Sequence, residues 1–235
     1  MDKNQNNETD NMKKIKHYVF LLSALALTGA LTAQQSQTIE WTANSRPAIQ
    51  RVEGSPQIVE TKLGQAVYFN GETDAVFLDT NPLAGMSQLT MEVIFKPDGD
   101  GPFAQRFMHL GEVRGERIMF ETRVNPDKTW YFDAHTQLPN GGKSLTLIDD
   151  ELLHPTDQWY NVTLVITPMM QTTYVNGTPQ KWGNLDYKPI NAGISSIGVR
   201  QNLVDFFKGT IYKIRITPRV LLPREFLKDY EELNK

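Results

Sequence analysis

Apolar and polar residues alternate with a period of two along most of the chain from Gln34 onward, the pattern of strands that bury one face. In QAVYFNG, Val67 and Phe69 share a face opposite Tyr68 and Asn70. In LTMEVIFKP, Leu89, Met91, Val93 and Phe95 oppose Thr90, Glu92, Ile94 and Lys96. RIMFETRV groups Ile118, Phe120 and Val124, and WYFDAH groups Trp130, Phe132 and Ala134. YNVTLVI groups Tyr160, Val162, Leu164 and Ile166, and TIYKIRIT groups Tyr212, Ile214 and Ile216.

Clusters of Gly, Pro, Asn and Asp separate these runs, as in TNPLAG, PDGDGP, VNPDK, LPNGGK and HPTD. They are turn chemistry rather than linkers. Asn176-Gly177 is the strongest hairpin signal, because both central residues of a type I′ turn need a positive φ. One helix is predicted, in LPREFLKDYEEL at the C-terminal end, with Phe226, Leu227 and Tyr230 at helical spacing. The turns recur too evenly to mark a domain boundary. The expectation is an all-β chain: one antiparallel sandwich over residues 34–235, about a dozen strands in two sheets, with a short C-terminal helix.

Residues 1–33 stand outside this pattern. A polar segment precedes Met12, then Lys13, Lys14 and Lys16 introduce an apolar run from Tyr18 to Leu31, and small residues end at Ala33. This is the layout of a signal peptide opening at Met12. The apolar run is short for a bilayer span, which makes an N-terminal membrane anchor the weaker alternative. No lipobox cysteine is present, so the expected product is exported (periplasmic, cell-surface or extracellular) and is not a lipoprotein.

Charge and cysteine content narrow the chemistry. The formal net charge is −3, with 24 Lys and Arg against 27 Asp and Glu. Residues 1–33 hold four of the bases and three of the acids, so residues 34–235 keep 20 and 24, a net of −4. A nucleic-acid or anionic-membrane partner needs a concentrated basic face, so neither nucleic acid nor membrane insertion of residues 34–235 is expected. The chain has no cysteine, which rules out disulfides, thiolate catalysis and Cys-ligated zinc.

Four segments carry a family resemblance. GQAVYFNGETDAVFL resembles the opening strand pair of laminin-G-like, concanavalin A-like jelly rolls, and LTMEVIFKPDG resembles their next strand. DQWYNVTLVITPMMQTTYVNGTPQ is similar to their Trp-strand followed by a strand closed with Tyr-Val-Asn-Gly. SIGVRQNLVDFFKGTIYKIRITPRVLLPREF is similar to their closing segment. The order is collinear from about Gly64 to Phe226, and it implies a two-sheet antiparallel jelly-roll sandwich. Members of this family include glycan-binding, adhesion and protein-recognition modules and, in related branches, glucanase-type glycosidases, so the fold leaves the function open.

The resemblance also implies calcium, with Asp74 at an acidic position often used. Relatives have Ile-Asp-Glu-Val-Arg-Ile where this chain has Ile211-Tyr212-Lys213-Ile214-Arg215-Ile216. Tyr212 and Lys213 weaken that expectation, and no cofactor or metal is assigned. The glucanase pattern of alternating Glu-x-Asp-x-Glu on one strand is missing. Glu92, Glu121 and Asp133 could pair only across neighbouring strands. No serine-hydrolase elbow, zinc-protease motif or phosphate-binding loop occurs, and no catalytic residue is assigned.

Tyr131, Asp133 and His135 fall on one face of their strand, a ring beside polar groups, as a sugar site requires. Trp182, in an apparent polar loop, is a candidate stacking platform. Arg123 and Glu92 are candidate hydrogen-bonding partners. The reading is non-catalytic binding of an extracellular glycan or polysaccharide. The alternatives are a glycoside hydrolase with carboxylates on separate strands, which needs two carboxyls about 5–10 Å apart, and a protein-binding adhesion module, which would show an apolar rim patch.

Overall fold

The computed structural model describes residues 37–45 and 49–235, and Thr38–Lys235 forms one compact unit. The leader assigned to residues 1–33 lies outside the described residues. In chain order the strands are β1 (Ile39–Thr42), β2 (Ile49–Glu53), β3 (Gln57–Thr61), β4 (Gly64–Asn70), β5 (Ala75–Leu78), β6 (Leu89–Pro97), β7 (Ala104–Gly111) and β8 (Arg117–Val124). They continue with β9 (Thr129–Gln137), β10 (Ser144–Ile148), β11 (His154–Pro155), β12 (Tyr160–Ile166), β13 (Met170–Val175), β14 (Thr178–Asn184), β15 (Ile194–Ile197) and β16 (Lys208–Thr217). A 3-10 turn (Pro223–Glu225) and helix α1 (Asp229–Leu233) end the chain.

The strands form two antiparallel eight-stranded sheets. The first runs β14-β13-β12-β6-β16-β4-β3, with β1 also on β16; the second runs β10-β9-β8-β7-β15-β5-β2, with β11 on β9. The expected jelly-roll sandwich is the observed fold, and its strand count exceeds the dozen expected because short edge strands carry weak alternation.

Alternation decides which side chains lie between the sheets. Leu89, Met91, Val93 and Phe95 of β6 meet Ile118, Phe120, Trp130, Phe132 and Ala134 of the second sheet, together with Val162, Leu164 and Ile166 of β12. Aromatic rings fill the centre: Phe95 stacks on Phe107 at 4.7 Å and meets Trp130 edge-on at 5.1 Å, and Phe120 meets Phe132 edge-on at 5.1 Å. Each such pair contributes about 0.5–1.5 kcal/mol beyond area burial.

Two of the β-bulges, in β16 and β7, change which side chains enter the core. In β16 the register slips between Ile211 and Lys213. Ile211 therefore enters the core with Ile214 and Ile216, and Tyr212 turns outward against Leu227 and Tyr230. In β7 the slip lies between Arg106 and Met108, so Phe107 and Met108 both enter the core. The extra residue of a bulge re-aims everything beyond it.

Asn176 and Gly177 form the predicted two-residue hairpin between β13 and β14, with φ of 51° and 78°. The predicted C-terminal helix is instead two short pieces. Between them Phe226 is extended, and the Leu227 N–H donates to Glu92 Oε1 at 2.7 Å rather than to a helical carbonyl. The buried carboxylate draws the chain across the outer face of the first sheet. There Phe226 packs with Val165, Leu221 and Tyr174, and Leu233 packs with Ala66, Ile94 and Trp159.

Leu164 is fully buried on β12. Leu164→Ala is expected to cost about 2–5 kcal/mol, the range for a leucine that leaves a cavity, measured by urea denaturation. A loss below about 1 kcal/mol would mean the site collapses around the smaller side chain.

Candidate functional site

The outer face of the second sheet is built from the alternate positions of β7 to β10. Register places Arg106, Glu121, Asp133 and Ile148 in one row across the strands, and His109, Met119, His135 and Thr146 in the next. Arg117 lies opposite Gln137, and Arg123 opposite Tyr131. The β7 bulge sets Arg106 and His109 three residues apart on this face instead of two, so strict alternation does not find both.

Glu121 and Asp133 are buried here and share a guanidinium. Arg123 Nη2 donates to Glu121 Oε2 at 3.0 Å and to Asp133 Oδ2 at 2.6 Å, so those two oxygens lie at most 5.6 Å apart (3.0 + 2.6). Arg106 Nε lies 2.9 Å from Glu121 Oε2, and its Nη1 pairs with Asp205. Burial pushes the Asp133 carboxyl up to about 6; the Glu121 charge adds to this, and Arg123 and Arg106 oppose it. Asp133 Oδ1 and Arg123 Nη1 are buried with no partner, a costly state in a medium of low dielectric.

His135 in the next row links Arg117 to Thr146. Arg117 can only donate, so its contact with His135 Nε2 at 3.2 Å makes that nitrogen the acceptor. Nδ1 then carries the proton and donates to Thr146 Oγ1 at 2.8 Å. Burial pulls His135 down to about 4, with Arg117, Arg200 and Arg106 adding to it. His109 is held at about 4, by burial first, and is fully buried. Its Nδ1 accepts from the Gln201 N–H at 3.3 Å, and Nε2 donates to the Glu112 carbonyl at 3.1 Å.

The loop from Arg200 to Asp205 flanks this face. Gln201 Nε2 donates to the carbonyls of His109, Gly111 and Ile194, fastening the loop to β7 and β15. Leu203 and Asp205 have φ of 60° and 56°, a left-handed conformation costing about 1–2 kcal/mol for a residue with a side chain. Leu203 and Val204 are exposed, so the loop presents apolar surface beside a polar face.

Of the expected site residues, Tyr131, Asp133, His135 and Arg123 come together on this face. Tyr131 is only 8% exposed, so its ring is not the open stacking platform expected. Glu92 lies on the other sheet, fully buried under the C-terminal segment. Asn161 Nδ2 and the Leu227 N–H donate to its Oε1, and Arg215 Nε donates to its Oε2 at 2.6 Å. It is a structural anchor. Trp182 is not in a loop: it lies on edge strand β14 opposite Thr172 and is 65% exposed. A Cβ on the next residue, Gly183, would meet Leu145 of the second sheet. Gly183 therefore faces inward and Trp182 outward, on the opposite side of the sandwich from Tyr131.

Sequence reasoning missed Arg106, Arg117, Arg200 and Asp205. Arg117 was legible as the first alternate position of RIMFETRV. Arg106 was hidden by the bulge, and Arg200 and Asp205 by a loop without periodicity.

Asp74 holds backbone together: its Oδ1 accepts the Ser55 N–H at 2.8 Å and its Oδ2 the Asn70 N–H at 3.1 Å. Among the described residues no group of three or more His or acidic side chains could hold a metal. On the first sheet, a groove of about 770 Å³ is lined by Tyr68, Lys96, Asp98 and Trp159. There Lys96 lies 5.8 Å over the Trp159 ring, and burial pushes Asp98 up.

The fold is a two-sheet antiparallel β-sandwich whose second sheet has a polar outer face. The family model of the concanavalin A-like lectin/glucanases superfamily matches residues 70–225, and the chain belongs to that superfamily. No curated protein matches it in sequence. Domain 4 of the extracellular GH43 arabinanase AbnA from Geobacillus stearothermophilus, solved with arabinotriose, is 17% identical, with 84% of this chain and 88% of that one aligned at a TM-score of 0.50. The ligand-binding domain of botulinum neurotoxin serotype D, solved with N-acetylneuraminic acid, is 15% identical at a TM-score of 0.60. It aligns with 85% of this chain, which spans about half (51%) of that domain. A SAP-like pentraxin from Limulus polyphemus is 18% identical at a TM-score of 0.51, covering 67% of this chain and 77% of that one. Identities this low establish a common fold. Among the described residues no helix is long and apolar enough to cross a membrane.

The buried titrating groups set a pH dependence. The folded values of His109 and His135 lie below the ordinary 6.5. The unfolded chain therefore binds more protons between about pH 4 and 6.5, and stability is lost as pH falls through that window. Asp133 has the opposite sign: its folded value lies above 3.8, so its contribution is full below about pH 4 and lost as pH rises through about 6. The urea midpoint is expected to fall between about pH 7 and about pH 4.5, and to fall more steeply in Asp133→Asn. A midpoint that rises on acidification would contradict neutral, buried histidines.

Proposed function

We propose that this chain is an exported, non-catalytic carbohydrate-binding domain whose ligand lies on the outer face of the second sheet, over β7 to β10. The observation carrying this reading is the polar pair on that face that solvent reaches, half-buried His135 bonded to exposed Thr146 at 2.8 Å, set beside a buried network in which Asp133 Oδ1 and Arg123 Nη1 lack partners. Sugar hydroxyls both donate and accept, so a saccharide can extend a network that ends in an exposed Thr146 hydroxyl, and Leu203 and Val204 offer an apolar edge to a pyranose ring. The arabinotriose and N-acetylneuraminic acid held by two proteins of similar fold support it.

The test is a glycan array followed by titration calorimetry. Thr146→Val and His135→Ala are each expected to weaken binding about tenfold, as a lost hydrogen bond to a desolvated partner does. Trp182→Ala is expected to leave both affinity and melting temperature unchanged. Binding lost in Trp182→Ala and kept in His135→Ala would move the site to the first sheet.

A glycoside hydrolase is the second reading, favoured by Glu121 and Asp133 facing each other across β8 and β9 with Asp133 raised. Against it, Arg123 bridges the two carboxylates and fills the space a glycosidic oxygen would need. Release of reducing sugar from a polysaccharide by the wild type, lost in Glu121→Gln, would reverse this preference.

Export supplies the setting. The run from Lys13 to Ala33 is expected to be cleaved near Ala33, and N-terminal sequencing of the soluble protein recovered from cells checks it. An intact Met1 or Met12 on that form would overturn it.

A further inference from the structure

The outer face of the second sheet holds more cationic than anionic groups: Arg106, Arg117, Arg123 and Arg200 against Glu121, Asp133 and Asp205. The three acids are engaged with only two of the arginines, Arg106 and Arg123. Arg117 and Arg200 have no carboxylate within ion-pair distance among the described residues. Arg117 donates to the Gly115 carbonyl at 2.7 Å and to neutral His135, and Arg200 Nη2 reaches only the Val113 carbonyl at 3.5 Å. The Nε of each is buried without a partner. Burial first, and then the like charge of Arg200, hold Arg117 below the usual arginine range, with the more distant Glu121 opposing. Glu116 Oε1 of the same hairpin accepts the backbone N–H groups of Asn191 and Ala192.

Two half-buried cations in one neighbourhood, each bonded only to neutral acceptors, are destabilising unless an anion joins them. We propose that Arg117 and Arg200 form the specificity-determining subsite for an anionic saccharide, one whose ring carries a carboxylate or a sulfate ester. The planar fork of a guanidinium matches both groups with paired N–H donors. His135 and Thr146, in the adjacent row, then meet neighbouring hydroxyls, and exposed Leu203 borders the sugar on the loop side. This deepens the carbohydrate-binding reading and rests on it.

The experiment is titration calorimetry with two matched pairs of probes: oligogalacturonate against its carboxyl-reduced form, and a sulfated oligogalactan against its desulfated form. The charged member of at least one pair is expected to bind about tenfold or more tightly than its neutral partner, and which pair responds identifies the anion. Arg117→Met and Arg200→Met are each expected to abolish that difference without lowering the melting temperature, because each substitution also relieves the repulsion. Arg224→Met, an equal change of net charge at an exposed site on the far sheet, is expected to preserve it. Equal binding of charged and neutral members would overturn the anionic subsite and leave the carbohydrate reading standing. No binding of any of the four would overturn both. Retention of the difference in both arginine variants would show that the anion is read elsewhere.

Discussion

A carboxylate fully removed from water must have its lone pairs met by donors, and Glu92 imposes that requirement at the centre of the first sheet. Arg215 on β16 and Asn161 on β12 supply side-chain donors from the strands on either side, and Leu227 supplies a backbone N–H from the C-terminal segment. Removing one partner from such a site leaves a buried charge uncompensated and costs about 3–5 kcal/mol. The chain beyond β16 is thereby fixed over the outer face of the first sheet, where Phe226 and Leu233 find apolar partners. A helical continuation through Leu227 would take its N–H away from Glu92, and the chain breaks its helix instead.

The second sheet carries the same kind of groups with the opposite result. Its carboxylates are bound by arginines, yet Asp133 Oδ1, Arg123 Nη1 and the Nε atoms of Arg117 and Arg200 remain unpartnered. A fully satisfied buried network makes a fold more specific, and an incompletely satisfied one is costly where nothing else completes it. The contrast between the two outer faces is what favours the second sheet as the place of the proposed binding. That contrast lies in this chain's own residues, and folds alike at 15–18% identity carry no information about it.

β-Bulges connect the fold to the site. The β7 bulge leaves the core filled by Phe107 and Met108 and brings Arg106 opposite Glu121 and His109 opposite Met119. Without the extra residue, one of those two side chains would point into the apolar core. The β16 bulge admits Ile211 to the core and releases Tyr212 to pack against the C-terminal segment. Each displaces a polar or amphipathic side chain from the core to a surface that uses it.

Strand periodicity determined much of this protein directly. Leu89, Met91, Val93 and Phe95, and likewise Tyr160, Val162, Leu164 and Ile166, line the core as their alternation requires, because successive Cβ atoms on a strand must point to opposite faces. The Asn176-Gly177 turn is also local, since only its own two φ angles are at stake. The grouping of Tyr131, Asp133 and His135 on one face of β9 followed from the same rule. How strands neighbour one another depends on contacts between residues far apart in the chain. Only the tertiary structure could therefore bring Arg117, Arg200 and His135 together, set Glu121 beside Asp133, turn Tyr212 outward and put Trp182 on the opposite sheet. Burial was decided at the same level: Tyr131 and Glu92 look like open-face residues from alternation alone, yet both are buried, Glu92 beneath the C-terminal segment.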